Sequence, residues 1–266
     1  MGIFVALLVL GIAIFVHELG HFLVMRRNGV KVLEFAIGFG PRIWSREGRD
    51  GTIYSLRALP LGGFVQTPTE GSESMSGASP WAKFKIAVAG PLMNALLGSV
   101  ALTLLFYCGG TSPLLDHWLV AWLPSFLRPV VLAFVGSFGI SIATPGIFAY
   151  MVVTRFSTML SGMAGPIGIV QMGNQIGSEG DAFGGSIFLG ALFFAWMINV
   201  SVAGFNLMPL HPLDGGHCVA AVIEKLGGRP DGRTIKWFRW LTAILFIALV
   251  VVVCAVDILR LVGVSI

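Results

Sequence analysis

The sequence predicts an α-helical polytopic membrane protein: four core transmembrane helices, a short membrane-associated β-hairpin and an extra apolar insertion. Three observations carry that prediction. Of 266 residues, 56% are hydrophobic and 11% charged, against about 25% charged in an ordinary soluble domain. So few polar groups cannot cover the surface, and lipid must solvate much of the chain. Several stretches stay apolar over the roughly 20 residues a helix needs to cross hydrocarbon. The basic residues gather in two clusters beside those stretches.

The first span covers residues 2–25 and ends at Arg26 and Arg27. Its first charge is Glu18, so the basic start of a removable signal peptide is missing and the segment is expected to be retained. Residues 34–66 are expected to form the hairpin. Thr52, Ile53, Tyr54, Ser55 and Leu56 are rich in strand formers, and Arg49-Asp50-Gly51 is a turn signal. Residues 35–44 supply the partner strand, loosened by Gly38, Gly40 and Pro41. Residues 66–80, rich in Ser, Gly, Pro and Glu, read as a flexible loop. The second span covers 84–108 and opens with Lys83 and Lys85. The third runs over 187–207 and is broken by Pro209 and Pro212. The fourth covers 237–262.

Lys and Arg counts orient the spans. Arg26, Arg27, Lys31, Arg42, Arg46, Arg49, Arg57, Lys83 and Lys85 form one cluster; Lys225, Arg229, Arg233, Lys236 and Arg239 form the other. Both should face the cytoplasm, leaving the N- and C-termini outside. That orientation requires the apolar insertion at 110–160 to cross the membrane zero times or twice. Pro124, Pro129 and Pro145 interrupt it, so a re-entrant or surface-lying hairpin is expected there. The whole of 1–266 reads as a single membrane-embedded domain.

The net charge is +4, but the base sits beside apolar spans. Neither aromatic RNA-binding motifs nor Cys/His finger spacings occur, so nucleic acid is excluded as a partner. Cys108, Cys218 and Cys254 are far apart and set among apolar residues. They read as small buried hydrophobes, with no disulfide framework.

His17-Glu18-Leu19-Gly20-His21 places H-E-x-x-H inside the first span. Four residues make slightly more than one helical turn, so both imidazoles leave one face and can ligate one ion. Glu18, one position on, suits a base acting on metal-bound water. Zn²⁺ with three protein ligands and an open position lowers the pKa of its water to about 7. In a soluble helix the pattern is often accidental; within a membrane span two His and a Glu are costly and therefore functional by default. His21 lies about 8 Å and His17 about 14 Å before Arg26 along the helix, inside the apolar layer near its cytoplasmic edge.

A third ligand is required. Asp214 is the leading candidate, because residues 209–216 break a span just before a basic loop, and broken helices at membrane depth line cavities. Asp214 as a plain helix N-cap is the competing reading. His211 and His217 are rival ligands, and His117 reads as a solvated loop histidine.

Residues 17–21, Ala89-Gly90-Pro91-Leu92-Met93-Asn94, Gly165-Pro166-Ile167-Gly168-Ile169 and Asn206-x-x-Pro209-x-x-x-x-Asp214-Gly215 together resemble the site-2 protease family of intramembrane metalloproteases, in its bacterial RseP-like branch. The resemblance covers most of the chain except about 110–160. It implies His17, His21 and Asp214 as Zn²⁺ ligands, Glu18 as the catalytic glutamate, and Asn206 as a residue binding substrate or the developing oxyanion. It also implies that the hairpin receives the substrate as an added strand, which suits a helical peptide bond that must unwind before attack. The implied setting is the bacterial inner membrane. The implied substrates are transmembrane proteins, either anti-sigma-factor-like regulators or signal-peptide remnants. The branch usually carries one or two PDZ domains between its second and third core spans. None is visible here, and the apolar insertion stands in that place. His211 occupies a position where the family generally has a small or apolar residue. Gly90, Pro91 and Asn94 also admit a packing role, Asn94 bonding between helices, and Gly165-Pro166 reads as a turn.

The function expected is intramembrane zinc-dependent peptide-bond hydrolysis. The rival is a zinc-binding membrane protein without protease activity, a transporter or scaffold. Glu18 counts against it, since transport needs ligands but no adjacent base.

Overall fold

The computed structural model describes residues 2–71, 73–109, 120, 123–155, 168, 171, 186–229 and 232–262. Its elements run α1 (Gly2–Arg27), β1 (Glu34–Glu47), β2 (Ile53–Gln66), α2 (Pro80–Gly109), α3 (Arg128–Thr154), α4 (Ile187–Asn206), α5 (Asp214–Lys225) and α6 (Arg233–Leu261). Among the described residues five helices are long and apolar enough to cross a membrane: α1, α2, α3, α4 and α6. Four of them are the four expected spans.

The fifth, α3, corrects the hairpin expected across the insertion. Residues 128–154 form one continuous helix of 27 residues. Two prolines that argued for a break are both accommodated. Pro129 sits in the first turn, where its missing N–H is an orphan in any case. Pro145 lies inside the helix, as apolar spanning helices tolerate when neighbours satisfy the freed carbonyl. His117 and Gly165-Pro166 lie outside the described residues.

The chain divides into two compact units. One comprises residues 1–10, 95–205 and 243–266. Small residues bring its helices together. Gly98 has Val200 Cγ2 only 3.2 Å from where a β-carbon would stand, and a β-carbon on Gly204 would strike Thr144. Ser141 Oγ donates to the Val200 carbonyl at 3.4 Å, and Phe148 packs edge-on against Phe205. Such contacts let apolar helices approach closely where lipid offers no hydrophobic drive for association.

The other unit comprises residues 11–94 and 206–242 and carries the sheet. Its strands are long and bent, so β1 meets β2 three times. Glu34 pairs with Ile53 and Ile37 with Leu56 in a parallel sense, while Glu34 also pairs with Gln66 and Ile37 with Gly63 in an antiparallel sense. Glu47 pairs with Ile53 and Trp44 with Leu56, closing the expected hairpin. The segment 34–37 is thus central, and 63–66 is an edge bonded on one side among the described residues. Gly38, at φ +88°, makes the bend: a β-carbon there would lie 2.5 Å from the Leu59 carbonyl oxygen.

Phe22, Met25, Val30, Val32, Phe35 and Ile86 form the core that fastens the sheet to α1 and α2, each fully buried large side chain contributing about 1.5–3 kcal/mol. Beneath the bend, the buried Glu34 carboxylate accepts from Ser55 Oγ at 2.5 Å, Arg42 Nη2 at 2.5 Å and Arg57 Nη2 at 2.8 Å. Burial alone would raise its pKa, but those three donors outweigh it and hold the carboxyl at about 2. The far end of the hairpin exposes Phe39, Ile43, Trp44 and Leu59, an apolar surface suited to lipid.

The Ser/Gly-rich stretch after β2, expected to be loose, is anchored. Ser74 is fully buried with its Oγ donating to the Gly71 carbonyl at 2.6 Å, and Lys31 N donates to the Glu73 carbonyl at 2.9 Å. Side-chain-to-backbone turns hold such a segment without regular structure.

Candidate metal centre

His17 and His21 leave α1 one turn apart and both are buried, 8% exposed. Their Nε2 atoms lie 3.2 Å from each other. Asp214 Oδ2 lies 3.0 Å from His17 Nε2 and 3.3 Å from His21 Nε2. Among the described residues these three form the group able to hold a metal ion.

The fit to Zn²⁺ can be tested on these distances. With ligand bonds of about 2.0–2.2 Å, the edges of a tetrahedron are about 3.3–3.6 Å long. The observed triangle of 3.0, 3.2 and 3.3 Å is close to one such face, slightly contracted. Asp214 Oδ2 is buried yet completes no hydrogen bond, as expected of an oxygen reserved for a cation. Two imidazoles and one carboxylate, with a fourth position open, form a donor set used in catalytic zinc sites.

The rings are aimed by their other nitrogens. His17 Nδ1–H donates to Asn94 Oδ1 at 2.6 Å, and Asn94 Nδ2 donates to the Ala13 carbonyl at 3.0 Å. That second bond fixes the amide orientation, so His17 carries its proton on Nδ1 and keeps the Nε2 lone pair free. His21 Nδ1–H donates to the Ile86 carbonyl at 2.7 Å with the same result. Both partners lie on α2, whose interior Pro91 lacks an N–H.

Glycines make room. A β-carbon on Gly20 would lie 2.5 Å from the Ala89 carbonyl oxygen, so α1 and α2 touch there through backbone. A β-carbon on Gly90 would lie 2.4 Å from His21 Nε2 and 2.7 Å from His17 Nε2. The space beside both ligand nitrogens therefore exists only because residue 90 has no side chain.

Asp214 occupies the first turn of α5, where the helix dipole favours an anion. Leu213, not Asp214, is the N-cap, and no side chain caps the helix, so the plain capping role is not what Asp214 does. The chain folds back just before it. A β-carbon on Gly215 would strike the Met208 and Leu207 carbonyl oxygens at 2.2 and 2.3 Å, which explains the paired glycines.

His17, His21 and Asp214 open onto a cavity of about 630 Å³. Glu18 and Asn206 line it, as do Gly63, Phe64 and Val65 from the sheet edge. A β-carbon on Gly63 would sit 3.1 Å from Glu18 Cγ, so the edge strand passes directly beside the glutamate. Of the rival histidines, His217 lines the cavity, and its ring centre is 4.9 Å from that of His211. Neither belongs to the candidate group of His17, His21 and Asp214.

The model of Peptidase family M50 matches residues 5–251. A Vibrio cholerae protein named "Putative zinc metalloprotease" is 44% identical over 116 residues, 40% of this chain and 26% of that protein. A Clostridium acetobutylicum protein of the same designation is 42% identical over 104 residues, 37% of this chain and 30% of that protein. Protease RseP of Yersinia pestis is 41% identical over 109 residues, 38% of this chain and 24% of that protein. The chain therefore aligns with between 24% and 30% of the length of these relatives.

Proposed function

The chain belongs to peptidase family M50, and on that premise we propose that it is a zinc metalloendopeptidase of the site-2 protease type, hydrolysing peptide bonds in or beside transmembrane segments. The observation that carries the proposal is the convergence of His17 Nε2, His21 Nε2 and Asp214 Oδ2 beside Glu18 in one cavity bordered by a strand edge. We read 1–266 as one membrane-embedded metalloprotease domain.

His17, His21 and Asp214 would hold the ion, which when bound supplies Lewis acidity toward the scissile carbonyl and the attacking water. Glu18 accepts the proton of that water and returns it to the leaving amine. Asn206 donates to the carbonyl oxygen as negative charge develops. Segment 63–66 pairs with the substrate backbone and holds it extended, since a peptide bond inside a helix is shielded from attack. The first basic cluster, which follows α1, then faces the cytoplasm, with the site near the cytoplasmic side of a bacterial inner membrane. Substrates are single-span regulators of the anti-sigma-factor kind or signal-peptide remnants.

The test is purification in detergent, metal analysis, and cleavage of a spanning peptide by wild type and Glu18→Gln. Zinc retained in both, with cleavage lowered by about 10²–10⁴-fold in the variant, is the expected outcome. Chelation with 1,10-phenanthroline should abolish cleavage and added Zn²⁺ restore it. Wild type that holds zinc but cleaves nothing would leave the non-proteolytic reading in its place.

A further inference from the structure

The cavity is lined by three carboxylates and two fixed cations, and one of those cations has no acidic partner among the described residues. Glu224 offers both carboxylate oxygens to Lys83 Nζ at 2.9 Å, and that pair is largely buried. Asp214 faces the two imidazoles, and Glu18 stands beside them. What remains is Arg239, which lines the same cavity, is exposed to it, and has no acidic partner among the described residues.

Arg239 lies on α6, fewer than two turns from its start at Arg233, where the second basic cluster meets the apolar part of the helix. A long basic side chain near a helix end reaches toward a polar boundary, and here the cavity is such a boundary. Across the wall stand His217 and, behind it, His211. Burial first, and the Arg239 charge with it, push His211 below the ordinary imidazole range, so the fixed positive charge of this wall is that of Arg239. A planar fork of donors facing an open cavity matches a carboxylate in two-point contact.

We propose that Arg239 forms a carboxylate-binding subsite of the substrate cavity, with His217 as its neighbouring wall. The subsite rests on the proteolytic reading above. The carboxylate comes from one of two places on the peptide: an acidic side chain near the scissile bond, or the new C-terminus of the cleaved product.

Binding separates the subsite from catalysis. In the Glu18→Gln background, affinity is measured for a leucine-rich spanning peptide carrying one Glu, moved stepwise along the segment, against the same peptides with Gln. A truncated peptide ending in a free carboxylate is compared with its amide. One Glu position, or the free C-terminus, should bind about tenfold better than its neutral counterpart. Arg239→Gln should erase that difference without weakening the neutral peptide, and Arg239→Lys, which keeps the charge but not the fork, should restore only part of it. A preference confined to the Glu scan assigns the side chain; one confined to the truncated pair assigns the product. Neutral and acidic peptides binding alike, or a preference that survives Arg239→Gln, overturns the subsite. Cleavage by the unsubstituted protein is scored separately, so failure of the protease reading is distinguishable from failure of the subsite.

Discussion

Gly90→Ala isolates the metal centre from the fold. A β-carbon at residue 90 would stand 2.4 Å from His21 Nε2 and 2.7 Å from His17 Nε2, where ordinary contact begins at 3.4 Å. The rings must therefore retreat by about 1 Å and about 0.7 Å, differences taken directly from those distances. Metal–ligand bonds tolerate about 0.2 Å. Neither ring can swing without loosening its Nδ1 anchor, 2.6 Å to Asn94 for His17 and 2.7 Å to Ile86 for His21. Zinc affinity should fall by at least about 100-fold, or roughly 2.7 kcal/mol. The helix itself gains, because alanine is favoured over glycine in a helix interior by about 0.8–1 kcal/mol. Competition with a chromophoric chelator reads the affinity, and thermal melting of the metal-free protein in detergent reads the fold. A variant that binds zinc like wild type and melts unchanged would refute the reasoning, since the space beside the nitrogens would then be dispensable.

Two further outcomes follow from the supports of the site. Asn94→Ala removes the acceptor that orients His17, so zinc affinity should drop about 10–100-fold while Glu18 stays in place; the same chelator competition measures it. Glu34 makes the sheet sensitive to acid. Its carboxyl is depressed from 4.5 to about 2, so its contribution is complete above pH 4.5 and is lost as pH falls toward 2. The loss should be no more than about 3 kcal/mol. Hydrogen exchange at residues 34–37 and 53–56 should accelerate over that interval in wild type and change little in Glu34→Gln, and equal acceleration in both would assign the acid sensitivity elsewhere.

What was legible in the sequence was whatever local spacing could encode. The H-E-x-x-H interval put two imidazoles on one helical face without further information, and the Pro-rich break before Asp214 marked a backbone turned inward. The supporting parts were illegible for a physical reason: Asn94, Gly90 and Ile86 matter only once it is known which face of α2 meets α1. The notion of Asn94 bonding between helices anticipated its Ala13 contact and missed the ligand it aims. The turn at Arg49-Asp50-Gly51 announced a hairpin, but nothing local announced that 34–37 would pair with both halves of β2. Pro145 misled in the opposite direction, because proline is a poor helix breaker where neighbouring helices satisfy the carbonyl it frees.

Gly63 stands at the sheet edge beside Glu18, and its bareness has a consequence for selectivity. A bare edge can clasp any incoming backbone by its amides alone and reads few side chains. On the proposed function, discrimination would then shift to the client: segments whose helices uncoil cheaply, through internal Gly, Pro or Asn, would be cut first. Susceptibility would track how easily a client melts in lipid more than any fixed recognition sequence.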